Sequence, residues 1–88
     1  VNVIERKKCK AEAHTLKPVV IVGQAGLTEA VLAEIDIALD THELIKIKIR
    51  AEREERVSIS AKICQTTGAE LIQAIGQIIV IYRINLKK

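Results

Sequence analysis

Lys46, Lys48 and Arg50 recur at every second position, interleaved with Ile45, Ile47 and Ile49. In an extended strand successive side chains point to opposite faces. The isoleucines then face a core, and the cations form a row roughly 13 Å long on the open face. Three positive charges with no acid between them suit the capture of an anion. Upstream lies a second candidate, Gly23-Gln24-Ala25-Gly26. Its glycines permit torsions and close approach that a Cβ would block. The loop also feeds a helix start, where free amides and the positive dipole end attract anions. Together the loop and the row could seat a phosphodiester backbone without reading a base. Glu29 works against this, because a carboxylate in the first helical turn partly cancels that attraction.

Composition narrows the classes of chemistry. Fourteen Lys and Arg face eleven Asp and Glu, a net charge of +3, so the placement of charge matters more than its total. Arg6, Lys7, Lys8 and Lys10 form a further basic run, which suits the wet face of a helix. Phe and Trp are absent and Tyr82 is the only aromatic residue. Readers of single-stranded RNA stack bases on several aromatic rings, so a nucleic-acid partner here has to be held by charge, backbone amides and shape. KH domains clamp nucleotides with a Gly-x-x-Gly loop of the kind at Gly23–Gly26. No Ser-His-Asp, Cys-His or GK[ST] pattern stands in a catalytic setting, so no enzyme, cofactor or small-molecule substrate is expected. Cys9, His14, His42 and Cys64 match no familiar zinc spacing and read as core or surface residues. The two cysteines lie far apart, which suggests reduced thiols in a cytoplasmic protein. The longest apolar run, Ile78 to Tyr82, is too short to span a bilayer, and no apolar leader follows the basic N-terminal residues.

The elements that must position these residues follow from periodicity. Eighty-eight residues rich in Ile, Val, Leu and Ala suit one domain, residues 1–88. Cys9, Ala13 and Leu16 fall at helical spacing, giving a short amphipathic helix from Val3 to Ala13 that Pro18 keeps from continuing. Val19–Val22 is a continuous β-branched run between Pro18 and Gly23, the pattern of a short strand buried on both faces. Thr28 suits an N-cap, and Val31, Leu32, Ile35 and Leu39 share one face of a helix ending near Thr41 or His42. Ala51 to Thr67 reads two ways. Val57, Ala61 and Cys64 make a helical stripe, while Val57, Ile59, Ala61 and Ile63 alternate as in a strand. Length, a charged lead-in and Gly68 as a stop favour helix. Glu70–Ile75 and Ile78–Ile84, separated by Gly76-Gln77, form an antiparallel hairpin. The order is α-β-α-β-α-β-β, an α/β (α+β) domain with a four-stranded mixed sheet.

The stretch Leu16-Lys17-Pro18-Val19-Val20-Ile21-Val22-Gly23-Gln24-Ala25-Gly26-Leu27-Thr28 resembles the signature of the CRM domain (chloroplast RNA splicing and ribosome maturation). Glu34-Ile35, Ala38-Leu39 and His42 to Ile49 continue it, and Ile75-Gly76 to Tyr82-Arg83 resembles the closing hairpin. The match runs from about His14 to Arg83 and is nearest to the stand-alone bacterial, YhbY-like members. This resemblance implies a fold similar to the C-terminal domain of bacterial translation initiation factor three, with a helix before Gly68. It also implies association with RNA in precursors of the large ribosomal subunit. The family's RNA surface points to Gly23, Gln24, Ala25 and Gly26, with Lys17, Lys46 and Lys48 as helpers. Arg50 and Arg83 join that set by spacing and charge. Bacterial members often continue past the Arg83 position with basic residues, so a shorter basic tail implies weaker binding. The competing expectation is a protein-interaction module whose basic face meets an acidic partner.

Overall fold

The computed structural model describes residues 2–84. Three helices and four strands follow in the expected order: α1 (Val3–Ala13), β1 (Val20–Val22), α2 (Glu29–His42), β2 (Leu44–Ile49), α3 (Arg53–Thr67), β3 (Glu70–Ile75) and β4 (Ile78–Tyr82). The strands form one mixed sheet in the order β1-β2-β4-β3. β1 lies parallel to β2, with Val20 opposite Ile47 and Val22 opposite Ile49. Their connection is α2, as a parallel pair requires a long crossover. β4 runs antiparallel to both neighbours, with Lys48 opposite Ile78 and Ile75 opposite Ile78 across the hairpin. Gly76, at φ +54°, supplies the positive torsion of the two-residue turn.

Alternation along β2 divides the molecule into layers. Ile45, Ile47 and Ile49 are buried with Val20, Val22, Ile79 and Ile81 against Ile35, Leu39 and Ile63 of α2 and α3. Each fully buried aliphatic side chain of this kind contributes about 1.5–3 kcal/mol. The opposite face holds a smaller cluster in which Cys9 and Ala13 of α1 cover Leu44, Ile72 and Val80. Arg6 fastens α1 from its side, donating to the carbonyls of Leu71 (2.8 Å) and Ile72 (3.3 Å) at a register shift in β3.

Three local expectations need correction. β1 is an edge strand with alternating burial: Val20 and Val22 are inside, while Ile21 is 53% exposed. A four-residue β-branched run says nothing about whether both faces are covered, and α1 packs mainly on β2, β3 and β4. On α3 the buried positions are Ser60 and Ile63, with Ile59 and Cys64 packed beside them, so the face is rotated from the Val57–Ala61 line. Val57 is exposed, and the buried Ser60 hydroxyl is satisfied by donating to the Val57 carbonyl. β4 stops at Tyr82 rather than continuing to Ile84; the Arg83 amide still donates to the Glu43 carbonyl (2.9 Å), while its side chain turns to partners on α2 and α3. Residues 85–88 of the basic tail lie outside the described residues.

Candidate functional site

The glycine loop is a turn closed by the Gly26 amide donating to the Gly23 carbonyl at 3.0 Å. Gly26 has φ +79°, a left-handed conformation that side chains rarely adopt, whereas Gly23 does not. Gln24 and Ala25 are exposed at the tip. Two residues later the Thr28 hydroxyl accepts from the Val31 amide at 3.2 Å, capping α2. The loop therefore stands at the amide-rich end of a fourteen-residue helix.

Parallel pairing of β1 with β2 brings the end of the cation row to this loop. Gly23, Gln24, Lys48 and Arg50 line one open cleft together with Ala51, Glu52 and Gln77. The Arg50 amide donates to the Val22 carbonyl (2.9 Å), and the Ile49 amide donates to Gln77 (2.7 Å), so three chain segments are tied at this corner. Among the described residues no carboxylate is recorded in an ion pair with Lys48 or Arg50. Glu52 lines the same cleft and tempers its charge. Sequence reasoning missed Gln77. The available signal was the hairpin register, which sets the Gly76-Gln77 turn beside the end of β2.

The other expected site residues lie elsewhere. Lys17 and Lys46 line a separate groove with Glu12, Leu16, Val19, His42, Leu44 and Ile45. Lys46 Nζ donates to the Leu16 carbonyl at 3.1 Å. Arg83 sits at the far end of the sheet, since Leu44 pairs with Tyr82, leaving roughly 17 Å of strand between it and the loop. Its guanidinium meets Asp36 Oδ1 (2.6 Å), Asp40 Oδ1 (2.9 Å) and the carbonyls of Thr67 (2.8 Å) and Asp36 (3.2 Å). The hydrogen bond that the guanidinium donates to Asp36 is the main reason the Arg83 pKa is raised further above its ordinary value. This arginine ties β4 to α2 and α3.

Burial pushes both thiols up, with Glu12 and Glu5 adding to the effect at Cys9 and Glu70 at Cys64. Cys9 packs on the α1 side of the sheet and Cys64 on the other, so the two do not share a site. Among the described residues no three His, Cys, Asp or Glu side chains gather around a point that could hold a metal ion.

Residues 2–83 match the model of the CRS1/YhbY (CRM) domain. The chain belongs to this family. A Pseudomonas aeruginosa relative named "probable RNA-binding protein" is 45% identical over 84 residues, covering 94% of this chain and 81% of its own. A Haemophilus influenzae relative named "RNA-binding protein" is 49% identical over 80 residues, or 90% and 81% of the two chains. The fold also matches the solution structure of a Staphylococcus aureus protein described as a candidate RNA-binding protein. That match has a TM-score of 0.83 at 28% identity and covers 96% of this chain and 88% of the other. Three helices around a four-stranded mixed sheet are thus shared with another protein, and the CRM signature Leu16–Thr28 lies within the matched span.

Proposed function

We propose that this CRM-domain chain binds RNA, engaging the phosphate backbone at the cleft where Gly23 and Gln24 face Lys48 and Arg50. The observation that carries the reading is this juxtaposition: a glycine turn at a helix N-terminus beside two cations that have no acidic ion-pair partner among the described residues. The names of the Pseudomonas and Haemophilus relatives support the RNA assignment. In the finer form of the proposal the RNA is ribosomal, in precursors of the large subunit, and the protein acts in the cytoplasm as an assembly factor. No chemistry is performed on the RNA. Contacts to phosphate position a protein without reading sequence, and a domain with one aromatic residue has little means of stacking bases.

The test is affinity for a structured ribosomal RNA fragment across a salt series. A handful of phosphate contacts gives a log–log slope of roughly −3 to −5. Gly26→Asp places bulk and negative charge in the turn that borders the proposed phosphate seat and is expected to abolish binding. Aspartate is among the residues that best tolerate a left-handed torsion, so the fold is expected to survive at a cost of about 1 kcal/mol. Retained RNA affinity in the folded variant removes the loop from the mechanism.

A further inference from the structure

The open part of the sheet's α1 side carries an apolar surface that the RNA reading leaves unused. Beyond the edge of α1, a groove of about 550 Å³ is lined by Lys10, Ala11, Ala13, His14, Lys46, Gln73, Ile75, Ile78 and Val80. Its floor is aliphatic, with Ile75 63% exposed although it lies in a strand. On the same face Val19 and Ile21 are also exposed, but Lys46 and Lys48 of β2 separate them from this groove. An aliphatic floor with cations at its rim suits a ligand that combines apolar groups with negative charge. Lys10 and Lys46 stand at the margins, and none of the lining residues is acidic.

We propose that this groove docks an acidic protein segment, one presenting a few aliphatic side chains flanked by Asp or Glu. Charge complementarity selects that occupant. Aliphatic side chains fill the floor between β2, β3 and β4, while carboxylates reach Lys10 and Lys46. A second copy of this chain fits poorly, because a two-fold pairing sets two basic rims against one another with no acidic lining residue to offset them. RNA also fits poorly: its bases seek aromatic faces, and the groove holds none. The molecule then has two separate surfaces, an anion cleft at the glycine loop and a peptide groove beside α1.

The experiment is amide chemical-shift mapping on the ¹⁵N-labelled full chain. The probe is a synthetic peptide carrying two leucines among glutamates, with controls in which leucine becomes serine or glutamate becomes lysine. Shifts are expected at Ala11, Lys46, Gln73, Ile75 and Val80 with the first peptide and neither control. Ile75→Glu and Lys10→Glu, both on exposed side chains, are expected to weaken that binding at least tenfold while leaving RNA affinity at the loop within twofold. No shift at millimolar peptide, equal shifts with the serine control, or shifts confined to Gly23–Gly26 overturn the proposal. So does a structured RNA that perturbs the groove in place of the loop, or concentration-dependent dimerisation that perturbs it without peptide. Titrating RNA separately reports on the loop cleft, so either surface can fail alone.

Discussion

The two ends of the central strand pair each carry arginine, and they use it in opposite ways. At the Leu44–Tyr82 end, Arg83 reaches into its own fold and is held by Asp36, Asp40 and the Thr67 carbonyl. At the Ile49 end, Arg50 lies exposed beside Gly23, Gln24 and Lys48. The same residue type stabilises the fold in one place and is presented outward in the other. What separates them is the neighbouring helix: α2 sets two carboxylates one turn apart beside Arg83, and its amide end beside the loop. A positive charge counts toward anion capture only where the fold leaves it uncommitted.

The strongest challenge to this contrast is Arg83→Ala. It removes both carboxylate contacts and the Thr67 bond, and is expected to cost about 1–3 kcal/mol, the range reflecting that Asp36 and Asp40 remain largely exposed. For a domain of this size that lowers Tm by roughly 4–8 °C per kcal/mol, measurable by thermal unfolding. RNA affinity of the folded protein is expected to hold. A salt slope flattened by one unit would return Arg83 to the RNA surface.

At the other end the effects are reversed. Gly23→Asp meets open space and no left-handed torsion, so stability should change by less than about 0.5 kcal/mol. RNA affinity should fall at least tenfold in a direct binding assay. Equal losses of stability and affinity would show that the turn acts through folding. Lys48→Ala and Arg50→Ala should each flatten the log–log salt slope by about one unit. Lys46→Ala should flatten it less, because its ammonium is placed in a different groove and donates to Leu16. Equal effects at Lys46 and Lys48 would extend the RNA surface along the whole strand.

The smallest effect concerns the join beside Arg83. Glu43 alone links α2 to β2 and takes φ 61°, ψ −46°, a torsion few side chains adopt. Glu43→Gly should relieve that strain and raise stability by about 0.5–1 kcal/mol, the gain being reduced by glycine's greater freedom when unfolded. A lower Tm would mean that the glutamate side chain contributes more than its backbone costs.

Much of this arrangement is legible in the sequence, because it rests on local pattern. The alternation at Ile45–Arg50 gives β2 and the cations opposite its buried isoleucines, Thr28 gives the start of α2, and Gly76-Gln77 gives the hairpin. What escapes depends on partners distant along the chain. Arg83 looks like a surface cation until Asp36 and Asp40 are brought to it across 47 and 43 positions. The exposure of Ile21 comes with the place of β1 at the sheet edge, which the four-residue run Val19–Val22 does not specify. The packed face of α3 turns on a buried serine whose hydroxyl is satisfied within its own helix, an exception to apolar periodicity. For the loop cleft, Gly23, Gln24, Lys48 and Arg50 were all readable as candidates, but their separation from Lys17, Lys46 and Arg83 required the sheet order.

The unequal cores on the two faces of the sheet have a consequence for motion. α2 and α3 share a continuous aliphatic interior with the strands, whereas α1 contributes only Cys9 and Ala13 to its buried cluster and relies on Arg6 for its clamp. An element held by so little apolar area opens on its own before the rest unfolds. Amide hydrogens of α1 should therefore exchange with solvent through a private, low-energy opening, while those of β2 and β4 exchange only with global unfolding. The domain is a stable two-layer body with a lightly attached third layer, and its α1 side can be uncovered without losing the fold.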